Sequence, residues 1–301
     1  MKVTNKPARV TFPSRIGVWW NSEPWPIREA QHIARDIEAM GFGSLFMPEG
    51  SGKDVLVESA AFLAATDRLV VGTGIANIHV RIPTAAESGG RLLSALYPGR
   101  FVLGLGVSHA PFVDQVVGGA YRKPLAMMRT YLERMDGLPA EIEAGSTALR
   151  LLAALGPKMI ELSGEHADGA HPYLVTPEHT KLTRSILGED RWIVTEQAVA
   201  IGGSADDQLR RAHSHLGPSS RLPNYRNSWL RLGFDESDVV DGGSDRLARA
   251  LVGMGSAADA ASRITAHLDA GADHVVVQVL GDTPRSDPRP ALRELAAALQ
   301  L

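Results

Sequence analysis

Cysteine is absent from all 301 residues, and that one absence removes disulfides, thiolate nucleophiles and thiolate metal sites together. A chain of this size without cysteine fits a reducing compartment, so a cytoplasmic location is expected. No apolar run approaches the roughly 18 residues that cross a bilayer. The amino-terminal stretch carries Lys2, Lys6 and Arg9 but no apolar core of signal-peptide length, so neither export nor a membrane partner is expected. An excess of charge is missing as well: 31 Lys and Arg stand against 34 Asp and Glu, a net charge of -3 at pH 7. The densest basic grouping is Arg210-Arg211, too small to attract a phosphate backbone, and nucleic acid is not expected as a partner. There is no Gly-x-Ser-x-Gly elbow and no loop ending in Gly-Lys-Ser/Thr, which counts against hydrolase and kinase chemistry. His213 and His215 lie two apart in a helical stretch and point about 200° apart, so they do not share an ion and no metal site is expected.

What is present is an alternation. Eight β-rich runs, at 15–20, 44–47, 69–77, 100–106, 149–155, 170–175, 192–201 and 274–280, are separated by segments whose apolar residues recur at three and four. Between the first two runs, Ile27, Ala30, Ile33, Ala34, Ile37 and Met40 form one stripe, with Arg28, Glu29, Arg35, Asp36 and Glu38 opposite. Pro26 opens that segment and Gly41 closes it. Strands alternating with helices predict a parallel sheet, and eight repeats predict a closed (β/α)8 barrel, one domain over residues 1–301. An open doubly wound sheet ordinarily shows glycines on its first strand-to-helix turn, whereas that turn here reads Trp19-Trp20-Asn21-Ser22-Glu23-Pro24-Trp25. The regularity breaks over about 204–255, read as an insertion with two helical pieces and a Gly-rich link. Its Leu222-Pro223-Asn224-Tyr225 and Trp229-Leu230 are expected to fold over the barrel mouth.

In such a barrel the carboxyl ends of the strands carry function. Glu49, His109, His171, Tyr173 and Glu196 stand at or near those ends and supply acid-base groups and hydrogen-bonding partners. Each has a plainer reading: Glu49 pairs with an arginine, His171 before Pro172 makes a turn, Glu196 fills a polar layer inside the barrel. Leu155-Gly156-Pro157 and Gly202-Gly203-Ser204 precede helices, whose free amides and dipole attract phosphate. Ser204 with Asp207 also reads as a near capping box.

The stretches Gly41-Phe42-Gly43-Ser44-Leu45-Phe46, Val71-Gly72-Thr73-Gly74-Ile75 and Tyr97-Pro98-Gly99-Arg100-Phe101-Val102-Leu103-Gly104-Leu105-Gly106 resemble the bacterial-luciferase-like oxidoreductases. So do Ala153-Ala154-Leu155-Gly156-Pro157-Lys158-Met159, Ala167-Asp168-Gly169-Ala170-His171-Pro172-Tyr173-Leu174-Val175 and Ala270-Gly271-Ala272-Asp273-His274-Val275. The nearest likeness is to the branch dependent on coenzyme F420. The resemblance implies a luciferase-like TIM barrel and hydride transfer between F420 and a small organic substrate. It also implies a non-proline cis peptide at Gly74-Ile75. Cofactor contacts are implied at Gly74, Ile75, Ala76, Asn77, Val107, Ser108, Leu155, Gly156, His171, Pro172 and Tyr173, with His109 or Glu49 exchanging the proton. Reduced FMN in the same barrel implies a monooxygenase instead, and a barrel that binds flavin or deazaflavin without turnover is a further alternative. Sugar-phosphate dehydrogenases of the family place a histidine after the acidic residue of the second strand. Here Glu49 is followed by Gly50, and His109 stands where they carry an acid, so a phosphorylated sugar is not expected. Relatives dimerise near the second and third strands, so a homodimer is expected, and Gly89-Gly90 would suit a close helix approach.

Overall fold

The computed structural model describes residues 10–118, 121–139 and 147–301, so Lys2, Lys6 and Arg9 lie outside the described residues. The chain begins with β1 (Ile16–Trp19), α1 (Ile27–Ala39), β2 (Ser44–Met47), α2 (Val55–Ala65), β3 (Val70–Thr73) and β4 (Ala76–Asn77). There follow α3 (Pro83–Leu96), β5 (Phe101–Gly106), α4 (Ala110–Phe112) with a π turn at Val113–Val117, α5 (Pro124–Asp136), β6 (Leu149–Leu152) and α6 (Pro157–His166). Next come β7 (Gly169–Ala170), α7 (Pro177–Leu187), β8 (Trp192–Ile201), α8 (Ala205–Ser220), α9 (Pro223–Arg231) and α10 (Asp245–Leu251). The last elements are β9 (Gly253–Gly255), α11 (Ala257–Asp269), β10 (His274–Val279) and α12 (Arg289–Leu299).

Every strand pairing is parallel, in the order β10-β1-β2-β3-β5-β6-β7-β8, and β8 pairs with β10 over Val194 to Val199, which closes the ring. Counting β3 and β4 as one interrupted stave, and setting β9 aside as a short addition to β8, gives the eight-stranded barrel that the alternation predicts. Alternate residues face inward: Phe46, Val70, Val102, Leu149, Leu151, Val194 and Val276 fill the interior as one apolar plug. Their neighbours Leu45, Val71, Leu103, Val275 and Val277 face outward onto the helices, against Ile33, Ile37, Phe62 and Leu292. The α1 stripe is buried at Ala30, Ile33, Ala34 and Ile37. Among the described residues no helix is long and apolar enough to cross a membrane.

Three expectations about the elements need correction. The run at 69–77 is two short strands, Val70–Thr73 and Ala76–Asn77, parted at residues 74 and 75, where the Gly74-Ile75 peptide is cis as the resemblance implies. The run at 170–175 yields only Gly169–Ala170 as strand, because Pro172 has no amide to offer a ladder and Leu174 takes a left-handed φ of 53°. The insertion holds three helices, α8, α9 and α10, where two pieces were read. Ser204 and Asp207 do form a capping box on α8, so that helix start is satisfied by its own side chains. Gly89 and Gly90 are explained within the chain: a Cβ on Gly89 would lie 2.7 Å from Leu56 Cδ1, and one on Gly90 3.2 Å from Leu103 Cδ2.

Candidate active site

A cavity of about 610 Å³ opens at the carboxyl ends of the strands, above the apolar plug. Its floor is the broken stave. The backbone at 74–75 turns inward, and the neighbouring strand makes room because it carries glycine where side chains would collide. A Cβ on Gly104 would lie 2.0 Å from Thr73 O, and one on Gly106 2.5 Å from Ile75 Cγ1. Trp19 Nε1–H donates to Gly74 O at 2.9 Å and fixes the bulge from the β1 side.

His171 supports the bulge from the other side. Its Nδ1–H donates to Val194 O at 2.7 Å, which leaves Nε2 as an unprotonated acceptor. That Nε2 is buried and has no partner among the described residues, and it lies 3.0 Å from where a Cβ on Gly74 would stand. Burial pushes the imidazole down to about 4, so it is neutral throughout the physiological range. A neutral, tautomer-fixed acceptor thus stands beside the bulge with its lone pair unpartnered among the described residues.

At the mouth, Ser108 takes a left-handed φ of 55° as β5 ends, and His109 follows as the residue that leads into α4. The His109 ring lies 5.5 Å from that of Tyr225 on α9. Burial lowers its pKa, partly opposed by a hydrogen bond with the Asn224 side chain. Glu49 lines the same cavity but is engaged on both oxygens. Arg81 Nη1–H donates to Oε2 at 2.5 Å, Arg81 Nη2–H donates to Oε1, and the Asn77 amide donates to Oε2 at 2.7 Å. The plainer reading of Glu49, pairing with an arginine, is what the geometry shows.

The opposite end suits an anion. Gly156 precedes α6 without a side-chain cap; Pro157 has no amide and the Met159 amide donates to Gly156 O, which leaves the Gly156 and Lys158 amides without a backbone partner among the described residues. Arg231, the last residue of α9, reaches over them: its Nη2 would be 3.6 Å from a Cβ on Gly156 and is 3.5 Å from Leu155 O. Burial lowers the guanidinium pKa and no carboxylate opposes that shift. The roof is α9 and the turn before it, which bring Leu222, Asn224, Tyr225 and Asn227 to the cavity. Aromatic rings run from wall to roof, Trp19 to Tyr173 at 5.3 Å and Tyr173 to Tyr225 at 6.3 Å.

Of the residues expected from sequence, Glu49, Gly74, Ile75, Val107, Ser108, His109, Leu155, Gly156, His171 and Tyr173 line this one cavity. Ala76, Asn77 and Pro172 do not. Ala76 and Asn77 pair with β5 behind the bulge, and the Pro172 carbonyl accepts the Glu196 amide. Glu196 is buried in the barrel interior and does not reach the cavity surface. Sequence reasoning missed Trp19, Tyr121, Asn227 and Arg231. Only the apolar and aromatic side chains of Leu222, Tyr225, Trp229 and Leu230 in the insertion hint that it covers the mouth. Among the described residues no group of three His, Asp or Glu is arranged to hold a metal.

The sequence profile of the luciferase-like monooxygenases matches residues 8–274, and the chain belongs to that family. A Mycobacterium tuberculosis protein named for coenzyme F420-dependent oxidoreductase activity is 28% identical over 202 residues, 57% of this chain and 58% of the relative. The chain therefore spans little more than half the length of that relative. An F420-dependent secondary alcohol dehydrogenase, solved with an F420-acetone adduct, superposes with a TM-score of 0.73 at 15% identity, over 94% of this chain and 98% of its own. The FMN-bound oxygenating constituent of 3,6-diketocamphane monooxygenase from Pseudomonas putida superposes at 0.69 and 15% identity, over 95% and 96%. The likeness to these two structures is one of fold.

Proposed function

We propose that this member of the luciferase-like family is an F420-dependent oxidoreductase that moves a hydride to or from a small, uncharged organic substrate. The observation that carries the reading is the pairing of two ends in one cavity. One end has a neutral, unpartnered acceptor, His171 Nε2, beside the inward bulge. The other has the Gly156 and Lys158 amides under Arg231. A flat heterocycle with a phosphate-bearing tail meets both. When bound, F420 supplies the hydride chemistry. Gly74, Ile75, Val107 and Ser108 would flank the ring, while Leu155, Gly156 and Arg231 would hold the phosphate.

The protein's own share is positioning, exclusion of water and one proton. As a neutral imidazole His109 takes the proton from the substrate hydroxyl in oxidation; in reduction it gives one from its imidazolium form, after taking a proton from solvent. Glu49 is a positioning group that holds the 74–77 segment through the Asn77 amide. With Glu49 paired to Arg81 and both lining histidines neutral, Arg231 is the one unpaired charge on the cavity wall among the described residues. The phosphate would occupy it, so a charged substrate would be left without a partner.

The test is parallel titration with F420 and FMN, oxidised and reduced, followed by absorbance, and then turnover of neutral secondary alcohols and ketones. Tighter binding of F420 and turnover without oxygen uptake are expected. Tight FMN binding with oxygen consumption would make the chain a monooxygenase, and tight binding without turnover a carrier. We further propose one domain with the insertion as its roof, a cytoplasmic location and a homodimer. Val57 on α2, Ile82 and the α3 residues Leu92 and Leu96 are exposed apolar side chains near the second and third strands, the kind of face that a second copy covers. Sedimentation at several concentrations tests the dimer.

A further inference from the structure

Glu196 plays no part in the cavity just described, and its surroundings are unusual for a carboxyl group. It is wholly buried on β8 and shares the inward parity of Val194 and Ala198. Oε2 accepts the Leu174 amide at 3.0 Å, whereas Oε1 has no partner among the described residues. The titratable groups packed nearby are Tyr173 after β7, Tyr225 on α9 and His215 on α8. Burial raises the first two and lowers His215 to about 4, so all three are neutral near pH 7. Gln278 of β10 completes the cluster and accepts from Tyr173 Oη at 2.8 Å. Among the described residues no cation compensates an ionised Glu196, and burial pushes the carboxyl up to about 8.

The residue that Glu196 holds joins two parts of the molecule. Leu174 sits in a left-handed conformation, its amide directed to Glu196 and its carbonyl accepting Trp229 Nε1–H at 3.1 Å. Trp229 is fully buried on α9, the helix that brings Asn224, Tyr225 and Arg231 over the cavity. One residue of backbone is therefore clamped by the barrel from below and by the roof from above.

We propose that Glu196 is a positioning residue: as a neutral acid it locks the Leu174 turn, and through Trp229 it seats α9 over the cavity. Ionisation puts an uncompensated charge into this dry layer and unseats the roof. The turnover part of the test rests on the function proposed above, but the exchange part, done on ligand-free protein, does not.

Amide exchange of residues 223–231 is followed by mass spectrometry in the wild type, Glu196→Gln and Glu196→Ala, below and above pH 8, corrected for intrinsic exchange. Glutamine still accepts from Leu174 but has no ionisable proton. In the wild type the segment should loosen above pH 8, and in the glutamine variant it should not. In the alanine variant exchange should be about five- to tenfold faster at both pH values, the size expected for losing one buried hydrogen bond. Turnover in the oxidation direction, where His109 acts as the base, should fall on the alkaline side in the wild type alone. An unchanged alkaline loosening in Glu196→Gln, or wild-type exchange in Glu196→Ala, would overturn the proposal. If the alanine variant does not fold, the glutamine comparison decides by itself. The expected exchange pattern in a protein without turnover would support this inference and remove the functional reading.

Discussion

Replacing Glu49 by glutamine separates two roles open to a carboxylate at the barrel mouth, proton carrier and structural partner. The side chains of Glu49 and Arg81 are 2% and 6% exposed, so the variant leaves a guanidinium in a dry site. Breaking a buried pair costs about 3–5 kcal/mol. Asp54 Oδ2 remains 3.1 Å from Arg81, but that side chain is 52% exposed and is worth about 1 kcal/mol at most. A net loss of about 2–4 kcal/mol follows, equivalent in a domain of this size to a fall in Tm of roughly 3–6 °C. Urea unfolding of Glu49→Gln, Arg81→Met and the double variant Glu49→Leu/Arg81→Met gives the test. The double variant should recover most of the loss, because neither charge is then stranded. Measured well below its Tm, the single variant should keep turnover within about tenfold of the wild type, since general acid-base groups ordinarily contribute about 10²–10⁴. Stability within about 1 kcal/mol of wild type would contradict the burial argument. A folded Glu49→Gln enzyme slowed beyond about a hundredfold would restore the carboxylate as proton carrier.

Four further outcomes are expected. His109→Gln should lower turnover by about 10²–10⁴ with cofactor affinity little changed. Because burial lowers the His109 pKa, the wild type should keep its base for alcohol oxidation to below pH 6.5, and a pH profile of kcat/KM checks this. Arg231→Gln should weaken the phosphate-bearing cofactor by about tenfold to a hundredfold, the worth of one charge-assisted hydrogen bond. Fluorescence titration should show unchanged affinity for the same ring system without its phosphate. Gly74→Ala should abolish cofactor binding while the protein stays folded, as judged by circular dichroism, because the new methyl would meet Trp19 Nε1 at 2.8 Å and His171 Nε2 at 3.0 Å. Glu196→Gln should be stabilising in a pH-dependent way. Below the carboxyl's ordinary value of 4.5 both folded and unfolded states are protonated and nothing is gained. Between 4.5 and about 8 only the unfolded state ionises, so the advantage grows by about 1.4 kcal/mol per pH unit. Denaturation midpoints that move in parallel across that range would contradict the assignment.

The barrel was legible because its signals are periodic and local: the α1 stripe, proline at helix starts and strands that repeat along the whole chain. The cavity's lower half was legible for the same reason, since Gly74, Val107, Ser108 and Gly156 stand at strand ends whose order the repeats reveal. The upper half was not. Arg231 and Trp229 reach their partners, Leu155 and Leu174, across gaps of 76 and 55 residues, and no local spacing encodes such a meeting. Glu49 illustrates a different limit. Its position was readable, but its role depends on Arg81 lying in a segment that only the folded backbone brings beside it. The run at 170–175 reads longer than β7 because its apolar content outweighs Pro172, whose missing amide ends the ladder.

Ring closure has a consequence for how the protein comes into being. The stave at His274–Val279 lies between the first stave and Trp192–Ile201, so no earlier portion of the nascent polypeptide has both edges of its sheet covered. Until those late residues leave the ribosome, β1 and β8 each present an open, largely apolar edge, which is the condition under which nascent sheets associate wrongly. A holding chaperone, or a pause in translation shortly after that stave, should raise the yield of native protein more than any substitution in the mouth itself.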